Sequence, residues 1–221
     1  MDRTATAGKP EQLSQRPVIL HTSGALTSDV LNPIRERGLA AGSIHPLISI
    51  SDQTHRALSF SDTHFAIEGD RAAIHLGKRL VRDLGGDSFV IDTKNKPLYH
   101  AAALMASPNL TALIDIAIEM LEQAGISSPR ARQILLPLIS STIENLVREN
   151  PRQSLTGTFK RGDIATVKMH LAAIASERLT DAMRAYVTLG KRSLQLSDIS
   201  RTRRLAIESL LAGALTDVNK R

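Results

Sequence analysis

The chain has 221 residues, 42% hydrophobic and 23% charged, the balance of a folded globular protein rather than a disordered one. Cysteine is absent, which excludes disulfides, thiolate zinc sites, iron–sulfur clusters and a cysteine nucleophile, and fits a reducing cytoplasm. The net charge of +6 invites a nucleic-acid reading, but only 3% of the residues are aromatic, which leaves little to stack on bases.

The basic residues are spread along the chain except for a late group: Lys191, Arg192, Arg201, Arg203, Arg204, Lys220 and Arg221. That group reads as solvated helix faces, so no nucleic-acid partner is expected. The largest apolar stretches, Leu110–Ile118 and Ile134–Ile139, are broken by Asp115 or fall far short of the roughly 20 residues of a membrane span. No membrane partner and no secretory signal are expected.

In chain order, residues 1–16 form a loose polar arm. From Pro17 the pattern is strand and helix in alternation. Val18–Leu20 predicts a strand, Ser28–Arg37 a helix closed by Gly38, and Ala40–Ile44 and His64–Ile67 two further strands. Arg71–Leu84 predicts a helix with Ala73, Leu76, Leu80 and Leu84 on one stripe, and Ser88–Ile91 a fourth strand. This order argues for βαβ units and a largely parallel sheet. After Lys94–Pro97 the β signal ends. Leu98–Glu122, Pro129–Glu149, Asp163–Ser176, Glu177–Leu196 and Ser200–Asn219 all predict helices. The fold class expected is α/β followed by all-α, with a partial Rossmann-like parallel sheet over 17–95 and a helical domain over 96–221.

Familiar catalytic signatures fail on inspection. No G-x-G-x-x-G occurs, so the turn that lets backbone approach a dinucleotide pyrophosphate is missing. Gly157 and Gly162 have phosphate-loop spacing, but Asp163-Ile164 follows where Lys-Ser/Thr belongs. Ser23-Gly24 lacks the flanking glycines of a nucleophile elbow, and no helical histidine pair marks a metal site.

Several strings, taken in order, carry more. His21-Thr22-Ser23-Gly24 and Ser43-Ile44-His45-Pro46 each follow a strand pattern, and Pro97-Leu98-Tyr99-His100-Ala101-Ala102-Ala103 opens the first long helix. Leu155-Thr156-Gly157, Arg161-Gly162-Asp163, Thr166-Val167 and His170-Leu171 follow. Together they resemble the Rossmann-like oxidoreductases whose helical part is catalogued as domain of unknown function 2520. These are relatives of pyrroline-5-carboxylate reductase and 3-hydroxyisobutyrate dehydrogenase. The resemblance runs from about Pro17 to Leu196. It implies NAD(P)-dependent oxidation or reduction of a small metabolite, with NADP or NAD as cofactor and a homodimer paired through the helices. Two departures follow. The family's glycine-fingerprint half is not in this sequence, so the resemblance implies either a truncated form or an offshoot that has lost its cofactor half, with weak or no cofactor binding. Pro108 also stands between Ser107 and Asn109, where the family places Asn directly after the small residue.

The candidate residues each admit two readings. Thr22, Ser23 and Gly24 lie past a strand's carboxyl end, where α/β sheets bind ligands; their amides suit a carboxylate or a nicotinamide edge, or they form an ordinary turn. Pro46 restricts His45 to an extended conformation at the same edge, over a cleft or in a plain loop. His100, early in a helix, suits a neutral acid–base group or junction packing, and Ser107 shares its face. His100 is the first choice as general acid/base and His45 the second. Asp163, Thr166 and His170, with Arg161 upstream, form a polar patch for an acidic or hydroxylated substrate, or Asp163 caps the helix after it and the rest is a solvated face; Asn109 is a separate substrate-binding candidate. The competing function is a non-catalytic helical dimerisation or small-ligand-binding module.

Overall fold

Among the described residues, four short β-strands lie side by side in sequence order across one sheet in the first part of the protein. The structure is a computed structural model and describes residues 16–49 and 60–219. The expected arm, apart from Arg16, and the basic residues Lys220 and Arg221 lie outside the described residues. Two compact units divide at Pro108.

In the first unit β1 (Val18–His21) pairs parallel with β2 (Ala40–Pro46), and β3 (His64–Gly69) pairs parallel with β4 (Asp87–Val90). The central pairing, β2 with β3, is antiparallel. The sheet is thus mostly parallel, but reverses where the strands were expected to run alike. The helix expected over Ser28–Arg37 shrinks to a 3₁₀ turn (Ser28–Leu31) and a single turn, α1 (Asn32–Arg35). Pro33 can open a helix but Gly38, at φ 76°, ends it at once.

The period of two sorts the strand residues onto faces. Leu20, Ile44, Phe65 and Ile67 meet α2 (Arg71–Asp83), whose Val81 and Ile74 complete the core. Ile67 has no exposed surface, so its truncation to Ala is expected to cost about 2–5 kcal/mol. The buried stripe of α2 keeps Ala73 of the predicted one but continues through Gly77 and Val81, for Leu80 and Leu84 remain 41% and 47% exposed. Small residues win because the helix lies close on the sheet: a Cβ on Gly77 would sit 3.1 Å from Ile67 Cδ1. Gly69 is needed for its own backbone, since φ is 124° and a Cβ there would lie 2.4 Å from Gly42 Cα across the pairing.

The long helix expected over Leu98–Glu122 is two helices, α3 (Lys96–Ala106) and α4 (Pro108–Gln123). Ser107 leaves the helical region at φ −127°, ψ −79°, because the proline ring after it disfavours helical backbone. An 18-residue window within Thr93–Gln123 reaches a mean hydropathy of 1.5, apolar enough by length and composition alone to cross a membrane, although Ser107 divides the stretch into two helices. The expectation of no such stretch took Asp115 as a break, but the apolar residues on both sides of it outweigh one charge. The division at Pro108 places α3 with the sheet rather than with the helical half, because Lys96, fully buried, is tied to the sheet by ion pairing.

The second unit holds α4, α5 (Ser128–Arg148), the short α6 (Pro151–Ser154) and α7 (Gly157–Arg161), then α8 (Ile164–Ser176), α9 (Thr180–Leu196) and α10 (Arg201–Asn219). Its core is Val167, Leu171 and Ile174 of α8, Met183, Val187 and Leu194 of α9, and Ile207 and Leu211 of α10. In contrast, α5 buries only Ala131 and leaves Leu138 63% and Val147 82% exposed.

Candidate functional site

The sheet face opposite α2 carries polar side chains in ordered rows. The register places His21 of β1 beside Ser43 of β2, and Ser43 beside Glu68 of β3. Two residues further along β2, His45 pairs with Ala66 and Ala66 with Phe89 of β4. Alternation alone puts both rows on one face.

The first row is a buried charge network. Glu68 and Lys96 are each 1% exposed, with Lys96 Nζ 3.2 Å from Glu68 Oε1. The Ser28 amide donates to Glu68 Oε1 at 2.8 Å, and the Ser28 and Thr93 hydroxyls donate to Oε2 at 2.7 and 2.8 Å. Lys96 Nζ also donates to Ser43 Oγ. Burial pushes the Glu68 carboxyl up, but the hydrogen bonds from Ser28, Thr93, Ser43 and Lys96 outweigh it and bring the pKa down to about 2. Burial lowers Lys96, and Glu68 opposes that shift. At the sheet's end Arg35 Nε donates to Asp70, whose Oδ2 also accepts the Ala41 amide at 2.7 Å.

The second row is the histidine site. His45 Nδ1 is 2.8 Å from the Tyr99 hydroxyl, and the rings stand edge to face. His100 packs edge to face on His45 with ring centroids 5.7 Å apart, and Tyr99 packs on Phe89. Gly24 lies where the imidazoles converge: a Cβ there would be 2.5 Å from His100 Nδ1 and 2.6 Å from His45 Nε2. His100 Nδ1 is buried and has no hydrogen-bond partner among the described residues. Burial first, then His100 and Lys96, hold His45 below the usual imidazole range. Burial raises the Tyr99 phenol to about 12, so it stays a neutral donor or acceptor at neutral pH.

Of the predicted residues, the structure thus brings together Gly24, His45 and His100. Pro46 closes β2 and Thr22 is exposed. The Ser23 amide, expected to face a ligand, instead donates to His21 Nδ1 at 3.2 Å, while His21 Nε2 meets the Thr27 carbonyl at 3.3 Å. Asn109, Arg161, Asp163 and His170 belong to the second unit. There Asp163 caps α8: Oδ1 accepts the Thr166 amide at 3.0 Å and Oδ2 the Thr166 hydroxyl at 2.7 Å. His170 turns to Tyr186, 2.9 Å from its hydroxyl. Sequence reasoning missed Glu68, Lys96, Ser28 and Tyr99 as site residues. A carboxylate within the apolar strand His64–Gly69 was the available signal, because a buried charge demands a partner.

The sequence profile of the family described as Domain of unknown function (DUF2520) matches residues 63–193. The chain belongs to that family. The DUF2520 match takes in Glu68, Lys96, Tyr99 and His100, whereas Gly24 and His45 precede it. Among solved structures the chain is similar to protein TM1727 from Thermotoga maritima, at 24% identity and TM-score 0.60, covering 92% of this chain and 69% of that one. It is also similar to BF3122 from Bacteroides fragilis, to which an NADP oxidoreductase activity is ascribed, at 21% identity and TM-score 0.64. That match covers 80% of this chain and 65% of the other. At these identities the likeness shows the fold. No curated protein matches.

Proposed function

We propose that the first unit carries the acid–base side of an NADP-dependent oxidoreductase acting on a small carbonyl or hydroxyl metabolite. The observation that carries this reading is the convergence of His45 and His100 on Gly24, with His100 Nδ1 buried and without a partner among the described residues. An unsatisfied buried ring nitrogen costs roughly 1–3 kcal/mol, a cost removed when a substrate or cofactor group hydrogen-bonds to it. The name given to BF3122 supports NADP over other redox cofactors.

These residues suit the nicotinamide end of the cofactor, next to Gly24 and Thr22; the sequence holds no G-x-G-x-x-G to assign to the pyrophosphate. When bound, the nicotinamide supplies hydride exchange with a carbon. His100 holds the proton that the reacting oxygen gains or loses. His45 stands behind it, its Nδ1 fixed by Tyr99 so that Nε2 faces the same point. Binding of NADPH by this chain is weak, and its test is a titration of uniformly labelled protein. Millimolar NADPH is expected to shift the imidazole signals of His45 and His100. Failure to shift them at any concentration, or low-micromolar binding that leaves them still, overturns the reading.

A second reading, a helical dimerisation module without catalysis, is favoured by one observation. The 21-residue α5 leaves Ile134, Leu136, Leu138, Ile143, Leu146 and Val147 exposed. We propose that a second copy of the chain covers it.

A further inference from the structure

The contacts of α3 on β2 form a ladder with two rungs. Lys96 and His100 are four residues apart on α3, so they share a helix face about 6 Å apart along its axis. Ser43 and His45 are two residues apart on β2, so they share a sheet face about 6.6 Å apart. The two spacings match. Lys96 meets Ser43 on one rung and His100 meets His45 on the next.

We infer that Lys96, held by Glu68, is a positioning residue for the histidine pair: it sets the seat of His100 against His45 and places a fixed positive charge one rung away. The lower rung is the stronger of the two. Its ion pair is removed from water and every oxygen of Glu68 is hydrogen-bonded, so α3 has one low-energy position along β2. The upper rung is a ring contact with an unpaired nitrogen, and takes its geometry from below. A cation at that distance disfavours a second positive charge on His45, adding to burial and to His100 in holding its imidazole below the usual range. The charged and titratable groups around His45 are Lys96, Tyr99 and His100 from α3, Glu68 from β3 and His21 from β1. Arg35 and Asp70 lie farther off, linked through Ser28. Among these Lys96 is a cation pointed at the His45 strand face, with direct contact to Ser43.

The inference rests on the acid–base reading of His45 and His100, but its test needs neither cofactor nor turnover. The imidazole signals of the full chain are followed by NMR against pH in the wild type, Lys96→Met and Lys96→Arg, with the other histidines as internal reference. The His45 midpoint is expected to rise in Lys96→Met and to return in Lys96→Arg, which keeps the charge. If Lys96→Met does not fold, the double variant Lys96→Met/Glu68→Gln, free of an unpaired buried charge, replaces it, and His45 is again expected to rise. An unchanged His45 midpoint in either folded variant overturns the inference. A midpoint that moves while NADPH leaves both rings untouched keeps the positioning role and removes the redox reading; the reverse pattern does the opposite.

Discussion

Gly24 and His100 approach so closely that a side-chain carbon at residue 24 would lie 2.5 Å from the ring nitrogen Nδ1. No L-residue larger than glycine fits there without moving one of two imidazoles, since His45 Nε2 is 2.6 Å from the same point. Gly24→Ala is therefore expected to cost about 1–3 kcal/mol by overpacking while the fold survives. The NADPH-induced shifts of His45 and His100 should vanish with it. Urea denaturation and the labelled titration check the two parts separately.

The Glu68 carboxyl sets an acid limit. Its pKa in the folded chain is about 2 against an ordinary 4.5, a depressed value, so it stabilises the fold fully above 4.5 and loses that contribution as pH falls towards 2. Stability is expected to fall by a few kcal/mol between about pH 5 and pH 2. Glu68→Gln should flatten that slope, as urea midpoints at several pH values would reveal.

Arginines that read as a solvated basic face have specific tasks. Arg204 donates to the carbonyl of Leu194, and through Nη2 at 3.0 Å to that of Ser197, where α9 ends. Arg203 Nη1 reaches the Arg161 carbonyl at 3.3 Å. Helix ends leave such carbonyls unpaired, and a cation beside them is favourable. Arg204→Ala is expected to cost about 1–2 kcal/mol in chemical denaturation.

The same region is not expected to bind a random DNA duplex near physiological salt. Gel shift or anisotropy checks this, and tight, steeply salt-dependent binding would show many phosphate contacts.

Pairing of two copies through α5 predicts a dimer at tens of micromolar, with a buried area of about 2,000 Å² or more if it is obligate. Leu138→Asp with Val147→Asp, at positions 63% and 82% exposed, should give monomer in sedimentation equilibrium without loss of helix content. A wild-type monomer at these concentrations sinks the dimer.

Much of the first unit was legible in the alternation of its strands, because a period of two needs only a few residues to show itself. His45 and His100 were legible as a pair of histidines near strand and helix ends. Their meeting was not, since it depends on α3 lying along β2, and nothing in the local pattern fixes that. The β2–β3 reversal was missed because strand periodicity is blind to direction. The stripe of α2 was misread because glycine at 77 counts as a helix weakener in sequence but as close packing in space. Asp163 was legible as a cap from its position before Ile164, and that is how the structure uses it.

The antiparallel register of β2 and β3 gives the buried polar row a further consequence for folding. A slip of one residue would carry Glu68 through the sheet onto α2's apolar side, and would bring Ile67 to the face where Lys96 waits. The mispaired strand would then strand a carboxylate among Ile44, Phe65 and Val81, at a cost that no gain in backbone bonding could recover. The register that pairs Ser43 with Glu68 is therefore the one that lets the charges of Glu68 and Lys96 leave water together.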